Sequence, residues 1–251
     1  MHSVDLNCDM GESFGPFVIG QDAALMDYVS SANIACGFHA GDPSVMNATV
    51  QLAVKKNVAI GAHPGYHDLQ GFGRRELRLS AREVYEIIVY QVGALMAFAS
   101  SAGAKLNHVK PHGALYNSAA KDSTIADAIA AAIAGVDRTL LLVGLSGSEM
   151  IAAGRRAGLR TASEVFADRT YQNDGSLTSR LESNAMIENP QTAANQVLQM
   201  VSRKTVTTTQ GKEIPVIADT VCIHGDGKHA LDFAQAIVAV LNKNNVTIKK
   251  P

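Results

Sequence analysis

Short apolar runs alternate with longer amphipathic stretches along the whole chain. The runs at residues 4–8, 32–36, 58–62, 107–110, 140–143, 161–165 and 220–224 are four or five residues long and bounded by Gly or polar side chains. They are too short for helices, and the pattern predicts seven strands. The stretches between them carry helix signals. Ser80 and Glu83 form a capping box that opens a periodic segment ending at Gly103. Asp42-Pro43 and Asn189-Pro190 each place an N-cap before a Pro at the first helical position. Asp122 or Ser123 opens an Ala-rich helix that ends near Gly135, and a last helix covers about residues 228–241.

Seven strand–helix units of roughly 36 residues each call for a parallel sheet covered by helices. The expected fold is α/β, a single-domain (β/α) barrel over residues 1–251, closed or nearly closed. An open doubly wound sheet is the alternative. The glycine fingerprint of dinucleotide sites is missing after the first strand, where Asp9-Met10-Gly11-Glu12-Ser13 is acidic. Two stretches break the rhythm. Residues 70–75, Gln-Gly-Phe-Gly-Arg-Arg, read as a mobile loop over a site, suited to gripping an anion. Residues 204–216, with Gln210-Gly211 at the turn, read as a β-hairpin arm.

Composition narrows the class. Of the 251 residues 47% are hydrophobic and 18% charged, enough for a sizeable core and too apolar for a disordered chain. A net charge of −1 leaves no basic footprint, so nucleic acid is not expected as a partner. No uninterrupted apolar run reaches transmembrane length and no secretory signal opens the chain, so no membrane is expected either. Three cysteines, Cys8, Cys36 and Cys222, cannot all pair and form no CxxC, which fits a reducing cytoplasm and small buried packing residues.

In parallel α/β folds the chemistry sits at the C-terminal ends of strands. The first strand runs into Asn7, Asp9 and Glu12, and the second into His39 and Asp42. The third leads to His63 and His67, and the fourth to Lys110 and His112. The sixth carries Glu164 and runs into Asp168, Arg169 and Tyr171; the seventh ends at His224 and Asp226. Seven of eight histidines lie in or just beyond a strand end. Asp42 reads equally well as a helix N-cap. His108 is expected to point away from the neighbours of Lys110, and His229 to lie on the surface of the last helix. One barrel mouth receiving ionisable groups from these strand ends supports hydrolytic chemistry. Asp9 or Glu12 suits a general base; His39, His63 or His112 suits proton transfer. Lys110 and Arg169 suit an oxyanion, carboxylate or phosphate. Gly144-Leu145-Ser146-Gly147 is not a nucleophile elbow. A divalent metal, held by Asp5 or Asp9 with His39 and His63, is a further option that no local motif supports.

Seven segments in order, Asp5–Glu12, Ile34–Pro43, Gly61–Tyr66, Gly71–Arg75, Val109–Tyr116, Glu164–Arg169 and Ile223–Asp226, resemble the LamB/YcsF family across essentially the whole chain. The resemblance implies a distorted barrel related to the glycoside hydrolase/deacetylase barrels. It implies ATP-dependent opening of 5-oxoproline (pyroglutamate) to glutamate, together with two further subunits, B and C. On that expectation ATP is a co-substrate that phosphorylates the lactam oxygen, and the catalytic set is Asp9, Glu12, His39, His63, Lys110 and His112. Substrate would be held by Asn7, Arg74, Glu164, Asp168, Arg169, His224 and Asp226. Related deacetylases hold a metal with an Asp and two His. Here Met10 stands where some of those relatives place a second Asp, so the metal option loses a ligand. Two other classes remain open: a metal-dependent deacetylase or amidohydrolase acting without ATP, and a non-catalytic subunit that only binds substrate.

Overall fold

The computed structural model describes residues 2–225, 227 and 229–251. In chain order the elements are β1 (Ser3–Met10), α1 (Asp22–Leu25), β2 (Ser31–Ala35), α2 (Pro43–Lys55), β3 (Ala59–His63) and α3 (Ala81–Ser101). They continue with β4 (Leu106–Val109), α4 (Gly113–Ala119), α5 (Ser123–Val136), β5 (Leu141–Leu145), α6 (Glu149–Arg156) and β6 (Arg160–Phe166). The remainder are α7 (Pro190–Arg203), β7 (Thr205–Thr207), β8 (Glu213–Pro215), β9 (Thr220–Ile223), α8 (Ala230–Lys243) and β10 (Thr247–Ile248).

The seven strands read from the sequence pair in parallel in the order β1-β2-β3-β4-β5-β6-β9, and β9 returns to β1 to close a barrel. The open-sheet alternative is therefore excluded. Chain end joins chain start a second time, because β10 lies parallel to the first residues of β1. The stretch at 204–216 forms the antiparallel β7–β8 hairpin outside the barrel.

Helix starts follow local chemistry. Asp42 accepts from the Val45 amide, Asn189 from Thr192, and Asp122 from Thr124 and Ile125, each satisfying amides that a first helical turn leaves open. Ser80 and Glu83 complete their reciprocal box. The short helices α1, α4 and α6 leave no comparable signal in the sequence. None of the three has a side-chain cap, and α4 and α6 begin in segments that look like Gly-rich loops. The 21-residue α3 is apolar enough to cross a membrane by composition. Here its apolar stripe of Val84, Ile88, Val92 and Leu95 is buried in the outer layer, packed on α5, β3 and β4.

The core is unusual in its placement. Along β1, Leu6, Cys8 and Met10 are buried in the apolar layer between strands and helices, while Asp5, Asn7 and Asp9 alternate with them and face the lumen. Parallel strands are commonly apolar on both faces. This barrel has a polar interior, relieved on the β5–β6 side by the separate apolar cluster of Leu141, Val143 and Ala162.

Candidate active site at the barrel mouth

The lumen is built in layers of side chains stacked along the barrel axis. At the lowest, Asp5 accepts hydrogen bonds from Ser30, Ser31 and Thr220 at 2.6–2.7 Å. Burial raises its carboxyl above the ordinary value against the pull of these bonds. One layer up, Asn7 donates to Thr220 and to Glu164 Oε1, and Asn33 Nδ2 donates to Asn7 Oδ1 at 2.7 Å and Asp9 Oδ1 at 2.8 Å. Asn33 Oδ1 receives the His108 ring at 2.8 Å. His108 therefore shares the face of Lys110, which follows just past the end of β4, and its ring meets Asn33 beside Asp9 instead of pointing away from the neighbours of Lys110 as expected. Its ring is admitted by Gly61, where a Cβ would overlap the imidazole and where the β3–β4 register shifts.

Above this layer lies the charged centre. Lys110 Nζ reaches Asp9 Oδ1 at 2.8 Å, Glu164 Oε1 at 2.9 Å, Cys222 Sγ at 3.0 Å and Asn7 Oδ1 at 3.2 Å, with 2% of the residue exposed. Burial disfavours the ammonium, but Asp9 and Glu164 outweigh it and hold Lys110 well above its usual pKa. Burial likewise opposes the Asp9 carboxylate, yet positive charge at the His63 ring and on Lys110 keeps it well below the carboxylate range. Asp9 Oδ2 lies 3.3 Å from His63 Nε2. Asp9 is thus ionised and aligned to accept a hydrogen bond from a water at the mouth.

The rim adds Glu12, His39 and His112. His39 stacks on His112 with 3.8 Å between centroids, and both rings stand edge-on to His63 and Phe72. Gln91 of α3 clamps the turn after β3 by bonding both the amide and the carbonyl of Gly65 at 2.9 Å. The segment expected to be a mobile lid is instead tied down. Asp68 binds the Gly71 amide and the Arg75 guanidinium, the Gly73 amide donates to the Asp68 carbonyl, and Ala114 donates to the Gly73 carbonyl. Phe72 adopts φ 54°, a strained value for a side chain of its size, and its carbonyl faces His112 Nε2 at 2.8 Å. The Arg74 guanidinium lies over the Phe72 ring at 4.9 Å, at the rim.

On the β6–β9 side, both Asp168 oxygens accept from His224 Nδ1 at 2.9 Å, and the His224 ring stacks on Phe166. Burial raises the Asp168 carboxyl, but His224 outweighs it and the result is a lowered pKa. A ring nitrogen of His224 comes within 4.8 Å of Asp9 and Cys222. The same ring lines a cavity of about 460 Å3 together with Asp168, Met186, Ile187 and Phe233. His224 therefore links an outer cavity to the buried centre.

Several expected residues stand elsewhere. Asp5 is four residues below Asp9 on one strand, about 13 Å at 3.3 Å per residue. It is committed to Ser30, Ser31 and Thr220, which corrects its place beside His39 and His63 as a metal ligand. The Arg169 guanidinium donates to the Thr178 and Ala185 carbonyls and ties the loop between β6 and α7; burial lowers its pKa to about 10. That role corrects its expected place on substrate. His67 is exposed with its ring tilted against Phe38, and His229 is exposed beside Asp232. Asp226 lies outside the described residues. Met10 is buried in the apolar layer and faces away from the lumen. Asn33, Cys222, Tyr116 and Phe166 join the site without having been expected there. The signal that could have found Asn33 and Cys222 is period-two polarity inside a strand, in phase with Asp5, Asn7 and Asp9 once the strands are paired.

Seven parallel strands closed into a ring, with ionisable side chains gathered at the C-terminal mouth, define a (β/α) barrel with a polar lumen. The family 4 carbohydrate esterase of Streptomyces lividans matches at a TM-score of 0.51 over 98% of this chain and 91% of that one, with 13% identity, a likeness of fold alone. Within that class the chain belongs to the LamB/YcsF family, whose model matches residues 4–251. It is 60% identical to the A subunit of the 5-oxoprolinase of Tolumonas auensis over 99% of both chains. It is 45% identical to the lactam utilization protein of Thermus thermophilus, with a TM-score of 0.94 over 98% of this chain and 99% of that one.

Proposed function

We propose that this chain is the hydrolytic subunit of an ATP-dependent 5-oxoprolinase, opening 5-oxoproline to glutamate together with subunits B and C. A five-membered lactam is a stable amide, so hydrolysis gains from converting its oxygen to a phosphate ester with ATP, a step we assign to the partner subunits. Water then adds to the activated carbon, its proton passing to Asp9, and the adduct collapses with cleavage of the ring C–N bond, the nitrogen taking up a proton and leaving as the amine. A second water hydrolyses the resulting acyl phosphate to the glutamate carboxylate and inorganic phosphate, while the Lys110 ammonium supports the negative charge on the phosphorylated oxygen. The Asp168–His224 pair stands between the outer cavity and Asp9, placed to guide the substrate and to exchange a proton with its ring nitrogen. Arg74 at the rim suits the substrate carboxylate. The observation that carries the reading is the ionised Asp9 carboxylate fixed between Lys110 and His63 at the C-terminal mouth; full-length likeness to 5-oxoprolinase A subunits supports it.

The test is glutamate release from 5-oxoproline by the chain mixed with subunits B and C, with and without ATP. Asp9→Asn is expected to abolish release. Unchanged turnover in that variant, or ATP-independent release by the wild type, overturns the proposal. The compartment we propose is the cytoplasm, on three cysteines that remain buried free thiols.

A further inference from the structure

His63 Nδ1 lies 2.7 Å from the Lys110 carbonyl, and His112 Nε2 lies 2.8 Å from the Phe72 carbonyl. A carbonyl only accepts, so each of these nitrogens carries a ring proton, and in the neutral form of each ring the opposite nitrogen is bare. Those two bare nitrogens, His63 Nε2 and His112 Nδ1, face each other at 2.9 Å. Around them stand two carboxylates: Asp9 Oδ2 is 3.3 Å from His63 Nε2, and Glu12 Oε1 is 3.8 Å from His112 Nδ1. Two lone pairs in contact, flanked by two negative groups out of water, require a positive charge between them.

A proton would satisfy His63 and His112 alone. It would leave His39, which is fully buried with both ring nitrogens lacking any hydrogen bond and with Nε2 facing Glu12 at 3.7 Å. A buried polar atom without a partner costs about 1–3 kcal/mol. A metal ion gives that third imidazole a purpose. One ligand-type atom from each of Glu12, His39, His63 and His112 falls within a 4.8 Å cluster. Two nitrogens bound at about 2.1 Å to a tetrahedral ion stand about 3.4 Å apart, so the 2.9 Å pair need only open by about half an ångström to admit one.

We propose that Glu12, His63 and His112 bind one divalent transition metal ion of the zinc type, with His39 as the fourth ligand. The set differs from an Asp-and-two-His site: Met10 faces the apolar layer, and the carboxylate comes from Glu12 two residues further on. Asp9 stays on Lys110 and remains available as the base. The Phe72 ring stands edge-on to His39 and His112, closing one side of the site to water.

The full chain, stripped with a chelator and dialysed, is titrated with Co2+ and read by visible absorption. The expected result is one saturating equivalent with d–d bands, an affinity at least ~10-fold weaker in His112→Gln, and no change in His229→Gln. Zinc should also raise the melting temperature of the wild type, a reading that needs no variant. Absence of saturable binding by the wild type overturns the proposal, as does equal affinity in His112→Gln. So does nitrogen NMR showing a proton shared by His63 and His112 that zinc does not displace. Binding is measured without turnover, so this result is independent of the 5-oxoprolinase assay.

Discussion

Replacing His108 by Gln should lower stability at neutral pH, by a penalty that shrinks as the solution is acidified. The His108 ring is 1% exposed and lies 2.8 Å from Asn33 Oδ1, an acceptor, so its Nε2 donates and the neutral ring is sufficient. Burial, with Lys110 beside it, pushes the imidazole down to about 3. An unfolded chain binds the same proton near pH 6.5. Because the unfolded state takes up a proton that the folded state refuses, the contribution of the neutral ring is complete above about pH 6.5. It is lost progressively as the pH falls towards about 3. Between about pH 6.5 and pH 5 that amounts to 1.5 units at ~1.4 kcal/mol each, or about 2 kcal/mol. Gln can still donate to Asn33 but does not titrate. Urea denaturation of wild type and His108→Gln at several pH values should therefore give a difference that narrows by about 2 kcal/mol over this interval. A difference that stays constant with pH would refute the assignment of a neutral, buried His108.

Lys110→Met should leave Asp9 and Glu164 buried without their cation, costing about 3–5 kcal/mol in urea denaturation and eliminating ATP-dependent glutamate release; a stable variant would mean that the two carboxyls are protonated. Gly61→Ala should cost about 1–3 kcal/mol, since its Cβ overlaps the His108 ring, and the cost should fall in a His108→Ala background; equal costs in both would refute the contact. Phe72→Gly should relieve a left-handed backbone by roughly 1 kcal/mol while uncovering His39 and His112, so turnover drops although the melting temperature does not; a parallel fall in both would point to a structural role alone.

Much of the site was legible because strand ends are local signals. Asp9, Glu12, His39, His63, Lys110, His112 and His224 each follow a short apolar run, and the structure brings all of them to one mouth. Arg169 follows the same signal and turns away, because two nearby carbonyls of its own loop claim its guanidinium. Asn33, His108 and Cys222 sit inside strands, where a polar residue carries no sign of what lies opposite. Their partners are 26, 75 and 112 positions away in the chain.

By itself the sequence determined the seven strands and the starts of the long helices. Apolar runs bounded by Gly, and caps at Asp42, Ser80, Asp122 and Asn189, act within a few residues of themselves. Only the tertiary structure decided which alternate face of each strand is the lumen and how deep each residue lies. A strand turns successive side chains to opposite sides, but closure of β1 against β9 selects the inner side and sets the register. That closure sends Asp5 to the floor with Thr220 while Asp9, on the same face of the same strand, meets Lys110 and His63 at the mouth.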